Sequence, residues 1–284
     1  MKKIIFGILV LAVAGVGYFS FKEKPSGEYN EENYKILQKW ELPEVLNEIS
    51  GIAWIGNNRV ACVQDEDGII FIYNLKTSEI EGQTSFGNGG DYEGIAVIKD
   101  DAYVLRSDGV LFEVKDFTGK NPQVQKHVTE ANNFSKINLE GLCADPENNR
   151  LLLAVKEGKD FDEQKGVYVF DLHKKDSDKD PLFMLRLSDP VFKTLKTKLK
   201  EKFSPGEIGV HPNTGEYYIL DGTRPKLLIT EKDGTPKELF MFKPRDFGNP
   251  EGLTFSPDGD LYISNEAEDA PANILQISLN HKNK

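Results

Sequence analysis

Carboxylates recur in this chain in two kinds of place, and both meet in the stretch PEGLTFSPDGDLYISNEAED, residues 250–269. One kind stands beside a glycine at the start of a short apolar run, as in Glu93-Gly94, Glu140-Gly141, Gly206-Glu207 and Glu251-Gly252. The other stands where the next apolar run ends, at Asp65, Asp221 and Glu266, with Asn265 beside them. Oxygen donors gathered without histidine or thiolate suit a hard cation, and irregular oxygen sets suit calcium better than magnesium. Glu251, Asp221, Glu207, Asn265, Glu266 and Asp65 have no comparable basic partner except Arg224, and they are the candidate metal ligands. Glu93 and Glu140 differ, because Arg106 and Lys156 end the runs that follow them. If those runs pair antiparallel, Glu93–Arg106 and Glu140–Lys156 are cross-strand ion pairs, and otherwise the four are alternative ligand contacts.

Enzyme chemistry is narrower. His127, His173, His211 and His281 fall outside these carboxylate positions, which leaves a Ser-His-Asp hydrolase unsupported. No glycine-rich phosphate loop is present, and no residue is singled out as catalytic. Three readings remain. The first is a divalent-cation binding or sensing module, with calcium as the expected cofactor. The second is a calcium-dependent phosphoesterase, with Arg106, Lys156 or Arg224 meeting the phosphate. The third is a protein-interaction platform without metal, in which the acidic burst at 264–269 forms a rim contact.

The elements that must position these residues repeat. ISGIAWI, YEGIAVI, LEGLCAD, PGEIGVH and PEGLTFS begin at residues 49, 92, 139, 205 and 250, and each is followed by a turn and further strand-like runs. Self-similarity of this period marks a propeller. The spacing predicts an all-β, five-bladed β-propeller of four-stranded blades. The fifth copy lacks its fourth strand, and YKILQKWEL at 34–42 supplies it, closing the ring without an exposed sheet edge. In that architecture the carboxylates all fall on one face, and the glycines beside them allow close backbone approach near the axis. Residues 189–203, DPVFKTLKTKLKEKF, interrupt the repeat, and their spacing predicts a basic amphipathic helix capped by Asp189 and packed on its own domain.

Residues 4–21 are uncharged and apolar between flanking lysines, which predicts a membrane anchor or signal segment over 1–24. A polar tether over 25–33 and a propeller over 34–284 complete the expected organisation. The whole chain carries −11, and without the +3 of its first 24 residues it carries −14. That balance argues against nucleic acid and for cations or basic partners. Cys62 and Cys143 lie inside apolar runs, as buried free thiols do.

PGEIGVHPNTGEYYILDG followed by PEGLTFSPDGDLYISNE, with the apolar N-terminus and the insertion before the fourth repeat, resembles the SdiA-regulated (YjiK/CarP) family of bacterial envelope proteins. The resemblance covers residues 34–284 and departs from the family at Gly206-Glu207. It implies a propeller in the cell envelope, anchored in the membrane and facing away from the cytoplasm, with a role in calcium homeostasis and a phytase-like activity by analogy.

Overall fold

The computed structural model describes residues 33–129, 137–198 and 201–281. Five antiparallel sheets form the blades of a propeller. Blade 1 contains β2 (Ile49–Gly56), β3 (Arg59–Gln64), β4 (Ile69–Asn74) and β5 (Glu79–Ser85). Blade 2 contains β6 (Tyr92–Ile98), β7 (Asp101–Arg106), β8 (Val110–Lys115) and β9 (Gln123–Val128). In blade 3, β10 (Asn138–Asp145), β11 (Arg150–Glu157) and β12 (Gln164–Asp171) are followed by an outer strand split into β13 (Asp176–Ser177) and β14 (Phe183–Arg186). Blade 4 contains β15 (Glu207–Val210), β16 (Tyr217–Asp221), β17 (Lys226–Thr230) and β18 (Pro236–Met241).

Blade 5 is built from both ends of the chain. β19 (Pro250–Phe255), β20 (Leu261–Asn265) and β21 (Asn273–Leu279) are completed by β1 (Tyr34–Glu41), which pairs with β21 from Tyr34↔Leu279 to Glu41↔Asn273. The ring is thus closed by the strand the sequence had left over.

Successive apolar residues of a strand face opposite blade interfaces, as Ile70 and Ile72 pack on one side of blade 1 and Phe71 and Tyr73 on the other. Ile72, Ile95 and Phe112 pack between blades 1 and 2, and Leu153, Leu105 and Phe170 between blades 2 and 3. Comparable clusters occupy the other three interfaces. Burying such a side chain contributes roughly 2 kcal/mol, so blade packing is the main source of stability. Close approach at the axis requires glycine at two clear positions. A Cβ on Gly51 would lie 2.8 Å from the Ile95 nitrogen, and one on Gly94 would lie 2.9 Å from the Glu140 carbonyl oxygen. Cys62 and Cys143 are free thiols, the first buried as expected and the second half-buried.

Two expectations change here. Among its described residues the insertion holds the 3₁₀ turn Pro190–Phe192, with Glu201 also in 3₁₀ conformation, in place of the expected basic helix. Asp189 does cap it, accepting from the Val191 N–H at 3.0 Å. Phe192 and Phe203 are both buried in the blade 3–4 interface, so the segment is anchored by side-chain packing with little helix. The anchor or signal expected over 1–24 lies outside the described residues. Among the described residues no helix is long and apolar enough to cross a membrane. The expected fold therefore reduces to the propeller, and membrane partnership and membrane-anchored localisation drop out of the functional reading.

Candidate functional site

The inner strands of the blades pack side by side around the axis in the order β2, β6, β10, β15 and β19. Near its start the inner strand of four blades slips register against its neighbour. In blade 2 the pairing passes from Tyr92↔Arg106 to Gly94↔Leu105, and in blade 3 from Leu139↔Val155 to Gly141↔Ala154. Blade 1 skips Ser50 in the same way, and blade 5 has a shift spanning Glu251. A β-bulge re-aims the side chain of its extra residue. The five equivalent positions around the channel are thus Ser50, Glu93, Glu140, Gly206 and Glu251.

Blade 4 departs from the others by one residue. Gly206 occupies the channel position, and Glu207 stands where the other blades have glycine. A Cβ on Gly206 would lie 3.6 Å from Glu140 Oε2 and 3.7 Å from Glu251 Oε2, so the glycine faces a gap between those two carboxyls. Glu207 is instead fully buried between blades, its Oε1 accepting from the Leu142 N–H at 2.7 Å and the Ile208 N–H at 2.8 Å. Burial pushes its carboxyl well above the usual range.

Lys156, near the exit of β11, supplies the cation among these acids. Its Nζ lies 2.6 Å from Glu140 Oε2, while Glu140 Oε1 accepts from Asn138 Nδ2 at 2.8 Å. Burial works against the Lys156 ammonium, but Glu140 and Glu251 outweigh it and hold the charge. Glu93 and Glu251 have no cation of their own. Burial, then repulsion from Glu140, Asp91 and Glu251, pushes Glu93 up to about 9. Burial and Glu140 push Glu251 up to about 8, with Lys156 opposing. Burial raises Glu140 too, with Lys156 and Asn138 opposing, so the cluster favours protonated carboxyls around one ammonium, Lys156.

The acidic surface continues outward over blades 5 and 1. Burial and a hydrogen bond with Glu48 push Glu266 up to about 7. Burial, then Glu48, Glu66 and Asp91, raises Asp65. Glu48, Glu66, Asp67, Glu268 and Asp269 are exposed along this rim.

The expected metal set is not brought together. Asp221 pairs with Lys226 at 2.5 Å and accepts from the Ser204 N–H at 2.8 Å. The Asn265 Nδ2 donates to Asn273 Oδ1 at 3.0 Å, and Glu207 is held by backbone amides. Only Glu251 lies at the channel cluster, and Glu266 and Asp65 belong to the rim. The described residues contain no group of three or more His, Cys, Asp or Glu able to hold a metal ion. On that finding the cation-binding module is corrected as the functional reading. Of the two expected ion pairs, Glu140–Lys156 forms. Arg106 instead makes a bidentate pair with Asp108, at 2.9 and 2.8 Å, because the bulge turns Glu93 away from it.

No family model and no curated protein matches the sequence. Similar folds occur among solved structures. Glutaminyl cyclase of Myxococcus xanthus aligns at a TM-score of 0.61 with 14% identity, over 87% of this chain and 96% of that one. The PQQ-bound aldose sugar dehydrogenase of Streptomyces coelicolor gives 0.53 with 11% identity, over 87% and 98%. A chain of a nidogen/laminin complex gives 0.50 with 15% identity, over 76% and 72%. These likenesses define the class, a β-propeller, and at such identities they carry no function.

Proposed function

We propose that this propeller is a protein-interaction platform whose acidic face receives a basic partner segment, with one lysine or arginine side chain of that segment entering the channel mouth. The observation that carries this reading is the convergence of Glu93, Glu140 and Glu251 on a single cation, Lys156. A site with more carboxyls than cations holds protons until another cation replaces them. The gap faced by Gly206 gives that cation an approach between Glu140 and Glu251. The acids of the blade 5 and blade 1 rim extend the attraction over a longer segment and speed encounter. A described fold neighbour was itself solved in a protein complex, nidogen/laminin.

The test is calorimetric titration with a lysine-serine decapeptide and its fully acetylated form. The unmodified peptide should bind, and acetylation should abolish binding. Glu251→Gln should weaken it about tenfold, one buried charge-assisted contact. Asp258→Asn, on a turn at the other face, should change it little. Equal losses for the two variants would reduce the interaction to overall charge and defeat the proposal.

A further inference from the structure

A second concave site lies between blades 3 and 4, a cleft of about 440 Å³ lined in part by Glu157, Asp162, Lys165, Ser204, Thr223 and Arg224. Its size suits a small molecule. Two lysines are buried beside it and are treated differently. Lys226 is 1% exposed and has Asp221 at 2.5 Å. Lys165 is 4% exposed, and its Nζ donates to the Lys156 carbonyl at 2.6 Å, just past the point where the β11–β12 ladder ends at Ala154↔Val167.

A backbone carbonyl stabilises an ammonium far less than a carboxylate does, and burial lowers the Lys165 pKa against the opposing charges of Glu157, Asp162 and Asp221. An amine that has lost its proton while donating one N–H keeps its lone pair. Desolvation of that kind is one way a lysine becomes a nucleophile toward carbonyl compounds. Arg224 lines the same cleft. Its side chain bonds the Glu201 carbonyl and, at 3.3 Å, the Glu201 carboxylate. A guanidinium with five donors has capacity left for an anionic group on a ligand.

We propose that this cleft binds a small oxo acid and that Lys165 condenses reversibly with its carbonyl group. The Lys165 nitrogen attacks the carbonyl carbon, forming a C–N bond. The π pair moves to oxygen, which takes a proton as the nitrogen loses one, giving a carbinolamine. The hydroxyl then leaves as water with a proton taken from solvent, and a protonated imine remains. No electron is transferred, and hydrolysis reverses each step. Arg224 holds the carboxylate of the ligand. The site is separate from the channel mouth, and this inference stands or falls independently of the platform reading.

The experiment treats the full chain with glyoxylate and cyanoborohydride near neutral pH and maps carboxymethyl-lysine by peptide mass spectrometry. Lys165 should be labelled about tenfold faster than Lys159, which lines the same cleft but is exposed. Acetaldehyde, which lacks the carboxylate, should show a preference about threefold smaller. Arg224→Gln should slow labelling of Lys165 by glyoxylate about threefold and leave Lys159 unchanged. Labelling of Lys165 no faster than Lys159 in the unaltered protein would overturn the proposal without any variant. Fast labelling that is indifferent to the carboxylate and to Arg224→Gln would overturn the assignment to oxo acids.

Discussion

Glu113 and Glu251 are both withdrawn from water, and the protein surrounds them in opposite ways. Glu113, on β8, is 1% exposed. Lys175 Nζ lies 2.7 Å from its Oε1, and His127 Nε2 lies 2.9 Å from its Oε2. Burial raises its pKa, but the hydrogen bonds from Lys175 and His127 outweigh that and hold the carboxyl below its usual range. These partners come from blades 2 and 3, so the ionised carboxylate acts as a lock between blades. Glu251 shares the single Lys156 ammonium with Glu93 and Glu140, and its pKa moves the other way. A compensated buried acid stabilises the fold, whereas an undercompensated one stores the capacity to bind a cation.

The largest expected effect separates the two regions by stability. Glu113→Ala should lose on the order of 3 kcal/mol in urea denaturation, because it strands buried donors. Glu251→Gln should stay within about 1 kcal/mol of the parent. Equal losses would break the comparison. Next in size, Gly206→Ala should fold normally, since its new Cβ meets only ordinary contacts at 3.6 and 3.7 Å. It should nevertheless weaken the lysine peptide about fivefold by filling the gap between two carboxyls. Tight binding by this variant would move the entry point elsewhere.

The pH profile sharpens the same contrast. Glu93 and Glu251 hold protons more tightly folded than unfolded, up to about 9 and about 8. The folded state binds the extra protons, so their contribution to stability falls as pH rises from their unfolded values, near 4.5, through that window. Glu113 works in reverse. Its contribution is present above the unfolded pKa and is lost as pH falls through the lowered folded value. The Glu93→Gln, Glu251→Gln double variant should flatten the alkaline side of the profile and leave the acid side intact. The smallest effect belongs to Arg106→Ala, whose pair with Asp108 is partly exposed. It should cost under about 1 kcal/mol.

The blade count and the closure by residues 34–42 were legible because each repeat carries its own alternating apolar runs, and a missing fourth strand is conspicuous. Glu140–Lys156 was legible for the same reason, since antiparallel pairing places strand starts beside strand exits. The bulges were not. Leucine, glycine and glutamate satisfy a regular strand as well as a bulged one, and only the packing of five inner strands around an axis selects the slip that frees Glu93 for the channel and leaves Arg106 to Asp108. Glu207 illustrates the cost of reading by motif, because a shift of one residue turns it from the channel into a blade interface. The signal was present in the order Gly206-Glu207 against Glu251-Gly252. Lys165 escaped notice because a lysine opening a strand is ordinarily exposed, and its burial depends on the split outer strand of blade 3.

The most direct test of the channel account is the number of protons released when the lysine-serine decapeptide binds. Titration near pH 7.5 in buffers of different ionisation enthalpy reads this number, and Glu93 and Glu251 at about 9 and about 8 predict the release of about one proton per chain. The release should vanish in the Glu93→Gln, Glu251→Gln variant. Binding with no proton release in the parent protein, or an undiminished release in the variant, would contradict the claim that an incoming cation replaces protons at the channel mouth.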